Sequence, residues 1–210
     1  MAVDILKGDA FIITAPSGTG KTTLLKKLIS EHGDYQFITS YTTRKKRESS
    51  EDSNYQFVSE SEFRTLADQG KFLEFTESYG NLYGTPEIDA KELIKMGKTL
   101  FFEVEWRGAR ELKKRFPNIV HIYILPINRE ILRLRIFNRG AVATEEIDRR
   151  MKVAFEEMSH FVEADYVIFN DNFDKAYLEL TSVIASEKLT VSYVSNNKAK
   201  QLEQLFNNTQ

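Results

Sequence analysis

The chain has 210 residues, with 29 lysines and arginines against 31 aspartates and glutamates, a net charge of −2 and no cysteine. That length suits one domain, or one domain with insertions. The near-balanced charge gives no basic field for nucleic acid, and the absence of thiols excludes disulfides and thiolate metal sites and suits a cytoplasmic protein. No apolar run reaches membrane-spanning length, and Met1 to Asp9 reads as too short and polar for a signal peptide, so neither a membrane nor a nucleic-acid partner is expected.

Phe11 to Thr14 is apolar or β-branched and predicts a buried strand. Ala15 to Gly20 is a turn of small residues, after which Leu24, Leu25, Leu28 and Ile29 recur at helical spacing. Strand, tight loop and helix are the context of a phosphate-binding loop, here Ala15, Pro16, Ser17, Gly18, Thr19, Gly20, Lys21 and Thr22. Glycines let backbone N–H groups converge on phosphate oxygens, and the helix N-terminus adds partial positive charge. Lys21 can reach the β- and γ-phosphates of a nucleotide such as ATP, and the Thr22 hydroxyl can ligate Mg²⁺.

Tyr35 to Tyr41 predicts a second strand, running into the basic stretch Arg44-Lys-Lys-Arg47. Such a run is either a solvated surface or, after the carboxyl end of a parallel strand, an anion site. Glu48 to Asn54 is polar and turn-like. The next stretch does not read as doubly wound. It predicts a short strand at Tyr55 to Val58, then a helix over Ser59 to Gly70 with Ser59 and Glu62 at capping-box spacing. A strand at Phe72 to Thr76 and a turn or hairpin at Tyr79 to Gly84 complete an inserted subdomain. Thr85 then reads as the N-cap, and Pro86 as the first residue, of a helix that Gly97 closes.

Thr99 to Val104 returns to the buried-strand pattern. Glu103 and Glu105 at its carboxyl end are either metal-side groups of a phosphate-loop enzyme or exposed strand-end charges. Helices are predicted over Gly108 to Phe116, from Asn128 to Gly140 with Arg133, Arg135 and Arg139, and over Phe173 to Lys188. A long amphipathic helix over Glu145 to Val162 turns Ile147, Met151, Phe155 and Met158 to one face. Strands are predicted at Val120 to Leu125 and Asp165 to Phe169. Arg149 and Arg150 stand near the start of the long helix, unfavourable for cations against the helix dipole; they either answer an anion or lie on a solvated face. Val191 to Gln210 is polar and reads as a last, frayed helix. His32, His121 and His160 share no metal-ligand spacing and read as packing or surface residues.

Taken in order, Ala15 to Thr22, Ser40-Tyr-Thr-Thr-Arg-Lys-Lys-Arg47, Gly80-Asn-Leu-Tyr-Gly-Thr85, Arg139-Gly140, Glu157-Met-Ser-His160 and Asn170-Asp171 resemble the guanylate kinases, from about Gly8 to Lys188. The phosphate loop alone indicates only a nucleotide phosphate; the second and third segments are far more specific. The resemblance implies an α/β fold: a phosphate-loop core with a five-stranded parallel sheet and helices on both faces, a small mixed α/β GMP-binding insertion, and a helical lid. It implies a single domain with core 1–43, 86–132 and 153–190, a GMP-binding subdomain 44–85, a lid 133–152 and a polar tail 191–210. The implied substrates are ATP and GMP, with Mg²⁺, in cytoplasmic purine metabolism; oligomeric state stays open.

By the same resemblance, Ser40, Glu74 and Thr85 would meet the guanine base and Arg44, Arg47, Tyr55 and Tyr83 the GMP phosphate. Glu105 would serve the acceptor nucleotide or Mg²⁺, and Glu103 is a further Mg²⁺-side candidate beside Thr22. Lys21 and Thr22 would serve ATP, with Ala15 to Gly20 cradling its phosphates and Asn170 lying by the adenine. Arg135, Arg139 and Arg150 would come from the lid side, and with Lys21 and Arg44 they are the catalytic candidates. The chain departs from the family pattern at four places: Ala15 opens the phosphate loop, Lys46 replaces a proline, the link from Arg47 to Tyr55 is one residue shorter and lacks glycine, and Glu103 and Glu105 replace aspartates. Two other readings share parts of the pattern, a kinase with another acceptor and a non-catalytic interaction domain. Glu74 argues against the first, and Lys21 with Thr22 against the second.

Overall fold

Ala10–Thr14 (β1) is buried at every position, as a central parallel strand covered on both faces must be. The computed structural model describes residues 9–46, 55–78, 80–138 and 144–207, the side chains of 88 and 89 excepted. After β1 come Lys21–Glu31 (α1), Tyr35–Phe37 (β2), Ser40–Thr42 (β3), Tyr55–Phe57 (β4), Glu60–Asp68 (α2), Phe72–Ser78 (β5) and Asn81–Pro86 (β6). Glu87–Lys95 (α3), Thr99–Glu103 (β7), Trp106–Arg115 (α4), Val120–Leu125 (β8) and Arg129–Asn138 (α5) follow. Then come Thr144–Ser159 (α6), a 3₁₀ turn at His160–Glu163, Tyr166–Phe169 (β9), Phe173–Glu187 (α7), Val191–Asn197 (α8) and Ala199–Asn207 (α9).

The main sheet has the order β2-β7-β1-β8-β9 and every pairing in it is parallel. Alternate residues of β1 feed two cores, as the two-residue period of a strand demands. Phe11 and Ile13 pack with Leu24, Leu25 and Leu28 of α1 and Ala176, Leu180 and Ile184 of α7. Ala10 and Ile12 pack on the other face with Ala90 of α3, Ala109 and Leu112 of α4, and Leu73 of β5. The helices on both faces and the five parallel strands match the expected class. A third cluster, Leu132, Ile136, Ile147, Met151 and Ala154, joins α5 to α6. No helix of the described residues is long and apolar enough to cross a membrane.

The second sheet has the order β4-β3-β6-β5, with β3 parallel to β4 and antiparallel to β6. Here the structure differs from the single strand expected over Tyr35 to Tyr41. The chain pairs with β7 as far as Phe37, and the Ile38 N–H still donates to Phe101 O at 3.3 Å. From Ser40 it pairs with β4 instead, so β2 and β3 belong to different sheets. Apolar pattern marks extended chain but does not name the partner strand. Thr85 and Pro86 also differ: both lie in β6, paired with Glu74 and Phe72, and Pro86 is the N-cap of α3. The Thr85 hydroxyl is therefore free of the helix and is spent on Glu74. The long helix stops at Ser159, with Val162 in the 3₁₀ turn, and the last helix is two, broken at Lys198.

His121 is packing, as expected: it is 2 % exposed, with Nε2 2.7 Å from the Thr14 hydroxyl oxygen. Leu28 is fully buried between α1 and the sheet. Leu28→Ala is expected to lower unfolding free energy by about 2–5 kcal/mol, read from urea denaturation.

Candidate active site

The loop between β1 and α1 is held from behind. Gly20, the N-cap of α1, has φ 90° and ψ 12°, a left-handed conformation that glycine adopts without penalty. A Cβ on Gly20 would lie 2.7 Å from Asn170 Nδ2. That amide donates to Thr19 O at 2.6 Å, and Arg135 donates to the same carbonyl at 3.0 Å and to Asn170 O at 3.3 Å. The Thr19 hydroxyl donates to Pro16 O within the loop. The first turn of α1 carries no acidic residue, so its N-terminal positive end stays open to an anion.

Lys21 and Thr22 open the helix toward the end of β7. Lys21 Nζ lies 3.5 Å from Glu103 Oε1, and the Thr22 hydroxyl donates to the same oxygen at 3.2 Å. Ala15 to Thr22 form one wall of a cleft whose other walls include Ser40, Arg44, Tyr55, Glu74, Tyr83, Glu103 and Glu105. Two sheets thus supply one cleft, with the carboxyl end of β1 at its centre, where open α/β sheets bind ligands.

The wall opposite the loop is acidic and aromatic. Glu74 is 6 % exposed; Thr85 donates to Oε1 at 2.6 Å, and Oε2 is buried with no hydrogen-bond partner among the described residues. Burial first, and the nearby Glu105 charge, push its carboxyl up to about 7 against the opposing Thr85 hydrogen bond. Gly108 makes room for it, since a Cβ there would lie 2.7 Å from Oε2. Glu105 is also raised, by burial, and accepts from the Ser78 hydroxyl. Arg44 lies with Cζ 5.3 Å from the ring centres of both Tyr55 and Phe57, and the Tyr55 and Tyr83 rings meet edge-on at 6.1 Å. Burial raises the Tyr55 phenol, which stays protonated.

Six expected residues lie elsewhere or outside the described residues. Thr85 is buried beneath Glu74, and Asn170 and Arg135 stand behind the phosphate loop. Arg150 Nε donates to Glu146 Oε1 at 2.7 Å within α6, and Arg149 Nε to the other oxygen at 2.7 Å. These hydrogen bonds hold the Glu146 carboxyl down at about 2; in this state the anion answering both arginines is on their own helix. Arg47 and Arg139 fall outside the described residues. Gly108, Ser78 and Thr76 were not anticipated, and Glu157 was read only within the motif Glu157-Met-Ser-His160, with no site role. Glu157 lines the cleft, 8 % exposed, three residues after Ala154 on the buried stripe of α6; a charged residue on an apolar stripe was the available signal. His160, just beyond, stacks on Trp106 at 3.6 Å, and Arg110 forks onto Glu163 at 2.6 and 2.5 Å, tying the end of α6 to α4.

A phosphate loop at the centre of a parallel sheet, facing arginine and buried carboxylates across one cleft, defines a phosphoryl-transfer enzyme of the nucleotide-binding α/β class. The chain belongs to the guanylate kinase family, whose model matches residues 7–187. It is 39 % identical over 184 residues to the guanylate kinase of Alkalilimnicola ehrlichii, covering 87 % of this chain and 91 % of that one. It is 41 % identical over 187 residues to that of Hahella chejuensis, covering 89 % and 90 %. The crystal structure of guanylate kinase from Anaplasma phagocytophilum is similar with a TM-score of 0.75 at 25 % identity, covering 98 % of this chain and 97 % of that one.

Gly20→Ala is expected to cost about 1–2 kcal/mol for the left-handed backbone and to break the Asn170 brace as well. Urea unfolding with and without ATP tests both: stability falls, and the added stabilisation by ATP shrinks.

Proposed function

We propose that the protein transfers the γ-phosphoryl group of ATP to GMP, and to dGMP, giving ADP and the nucleoside diphosphate. The observation that carries the acceptor assignment is the buried Oε2 of Glu74, without a partner among the described residues, in the cleft that holds Lys21. An ionised carboxylate offers only acceptors, and guanine presents N1–H and a 2-amino group side by side. Adenine presents an N1 lone pair there and would leave the buried oxygen unpaired. In this reading Ser40, Thr85 and Glu105 complete the base site, and Arg44, Arg47, Tyr55 and Tyr83 hold the acceptor phosphate. Ala15 to Thr22 hold the donor phosphates, Asn170 borders the adenine, and Arg135, Arg139 and Arg150 serve from a lid spanning 133–152. The segment 44–85 is the acceptor subdomain, and the enzyme works in the cytoplasm.

Among the described residues no cluster of three or more His, Cys, Asp or Glu could hold a metal by itself. Mg²⁺ needs less than that, since it keeps waters and takes substrate phosphates with one or two protein oxygens. The Thr22 hydroxyl and the Glu103 carboxylate, 3.2 Å apart, fit that role. When bound, the ion would neutralise charge on the phosphates of the donor. The chain's own part is positioning and charge. The nucleophile is a phosphate oxygen of GMP, mostly ionised at neutral pH because its second pKa is about 6, so no general base is needed. Lys21 and the arginines gather charge around the transferred group. Closure of α5 and α6 over the cleft would exclude the water that would otherwise hydrolyse ATP.

The test is ADP release with GMP, dGMP, AMP, UMP and CMP as acceptors; comparable rates with AMP would overturn the assignment. In Glu74→Gln the amide can donate to adenine N1, so kcat/KM for GMP is expected to fall and the GMP-over-AMP ratio to narrow, with KM for ATP little changed. An unchanged ratio would mean that Glu74 does not read the base.

The same carboxyl sets a pH dependence. Its folded-state value is raised, so as pH falls through about 7 it gains a proton, and an oxygen that becomes a donor no longer matches the paired N–H donors of guanine. The GMP-over-AMP ratio of kcat/KM is expected to narrow on that descent in the wild type and to narrow less in Glu74→Gln, where Glu105, also raised by burial, is the carboxylate left to titrate. The phosphate titration common to both substrates cancels in the ratio.

A further inference from the structure

Glu105 occupies the N-cap position of α4, with φ −84° and ψ 169°, yet its side chain caps nothing. Its carboxylate turns instead to the end of β5, where the Ser78 hydroxyl donates to Oε1. Glu105 lines the cleft; Ser78, 7 % exposed, stands behind it. Glu74 and Ser78 are four residues apart on β5, so both point to the same face of the strand. That face therefore carries one carboxylate near its start and the holder of another at its end. The two carboxylates are built alike. Thr85 holds one oxygen of Glu74 and Ser78 holds one oxygen of Glu105, and both glutamates line the cleft.

A glutamate here is longer than the usual aspartate by one methylene and has one more rotor to fix. A hydroxyl on one oxygen selects a rotamer and favours the ionised form. Burial raises the Glu105 carboxyl, and Ser78 is the largest influence opposing that rise, ahead of Lys21 and Arg107.

We propose that Ser78 is a positioning residue for acceptor recognition: its hydroxyl aims the Glu105 carboxylate at the 2-amino group of guanine, while Glu74 takes N1–H. This rests on the assignment of the cleft to GMP. Ser78 acts only through Glu105, and its contribution is confined to purines that carry a 2-amino group.

The test compares GMP with inosine monophosphate, which keeps N1–H and lacks the 2-amino group. In Ser78→Ala, KM for GMP is expected to rise about tenfold, the scale of a hydrogen bond to a charged group. KM for inosine monophosphate, KM for ATP and kcat should move little. Ser78→Thr, which keeps the hydroxyl, should stay close to wild type. In a Glu105→Ala background, Ser78→Ala should add nothing, because the two residues act as one unit. Equal effects on the two acceptors, full additivity with Glu105→Ala, or a Ser78→Thr as impaired as Ser78→Ala would overturn the proposal by showing a merely structural serine. A wild type that prefers GMP over AMP while Ser78→Ala is inert would sink this inference alone. A wild type without that preference would sink the GMP assignment beneath it.

Discussion

A loop that turns its N–H groups toward phosphate must turn its carbonyls away, and here Thr19 O is held from behind. Asn170 from the end of β9 and Arg135 from α5 both donate to it. The left-handed turn at Gly20 keeps the backbone close enough for the Asn170 contact. Three segments far apart in the chain therefore meet at one carbonyl. Because the loop joins β1, the middle strand of the sheet, to α1, a shift there would disturb the fully buried Leu24, Leu25 and Leu28. The shape of the phosphate site and the integrity of the core are thus one constraint.

Facing that loop, the cleft concentrates carboxylates that would rather be in water. Glu74 and Glu105 are both raised by burial, and Glu157 is 8 % exposed in the same wall. Desolvated carboxylates are costly unless they find donors. Two hydroxyls, from Thr85 and Ser78, meet part of that need for Glu74 and Glu105; in the proposed reading, a base rich in N–H donors would meet the rest for these two. In that reading, discrimination would follow from the cost of leaving a buried acceptor unpaired rather than from shape alone. Trp106 follows Glu105 directly and stacks on His160 at the end of α6. The wall that carries Glu105 and the helix hairpin α5–α6 are consequently joined through packed rings and the Arg110–Glu163 fork.

The phosphate loop, the five parallel strands and most helix positions were legible in the sequence, because each is written in a short local pattern: apolar runs, helical spacing, small residues in a tight turn. The ordered motifs carried the family, and with it the residues of both cleft walls. What local pattern could not carry was choice of partner. Tyr35 to Tyr41 reads as one strand, and only hydrogen bonding to β7 and then to β4 divides it between two sheets. Thr85 before Pro86 reads as a cap by local rule, and only its place opposite Glu74 in β6 turns its hydroxyl to a carboxylate.

Sequence alone therefore determined which chemistry is present: a lysine and threonine at a helix start, arginines and tyrosines in the insertion, and glutamates where aspartates are usual. Tertiary structure decided what each group touches. It set Asn170 behind the phosphate loop, paired Arg150 with Glu146, brought Ser78 to Glu105 and left one oxygen of Glu74 without a partner among the described residues. The physical reason is that burial and hydrogen-bond geometry depend on chain segments distant in sequence, and the state of a carboxylate depends on both.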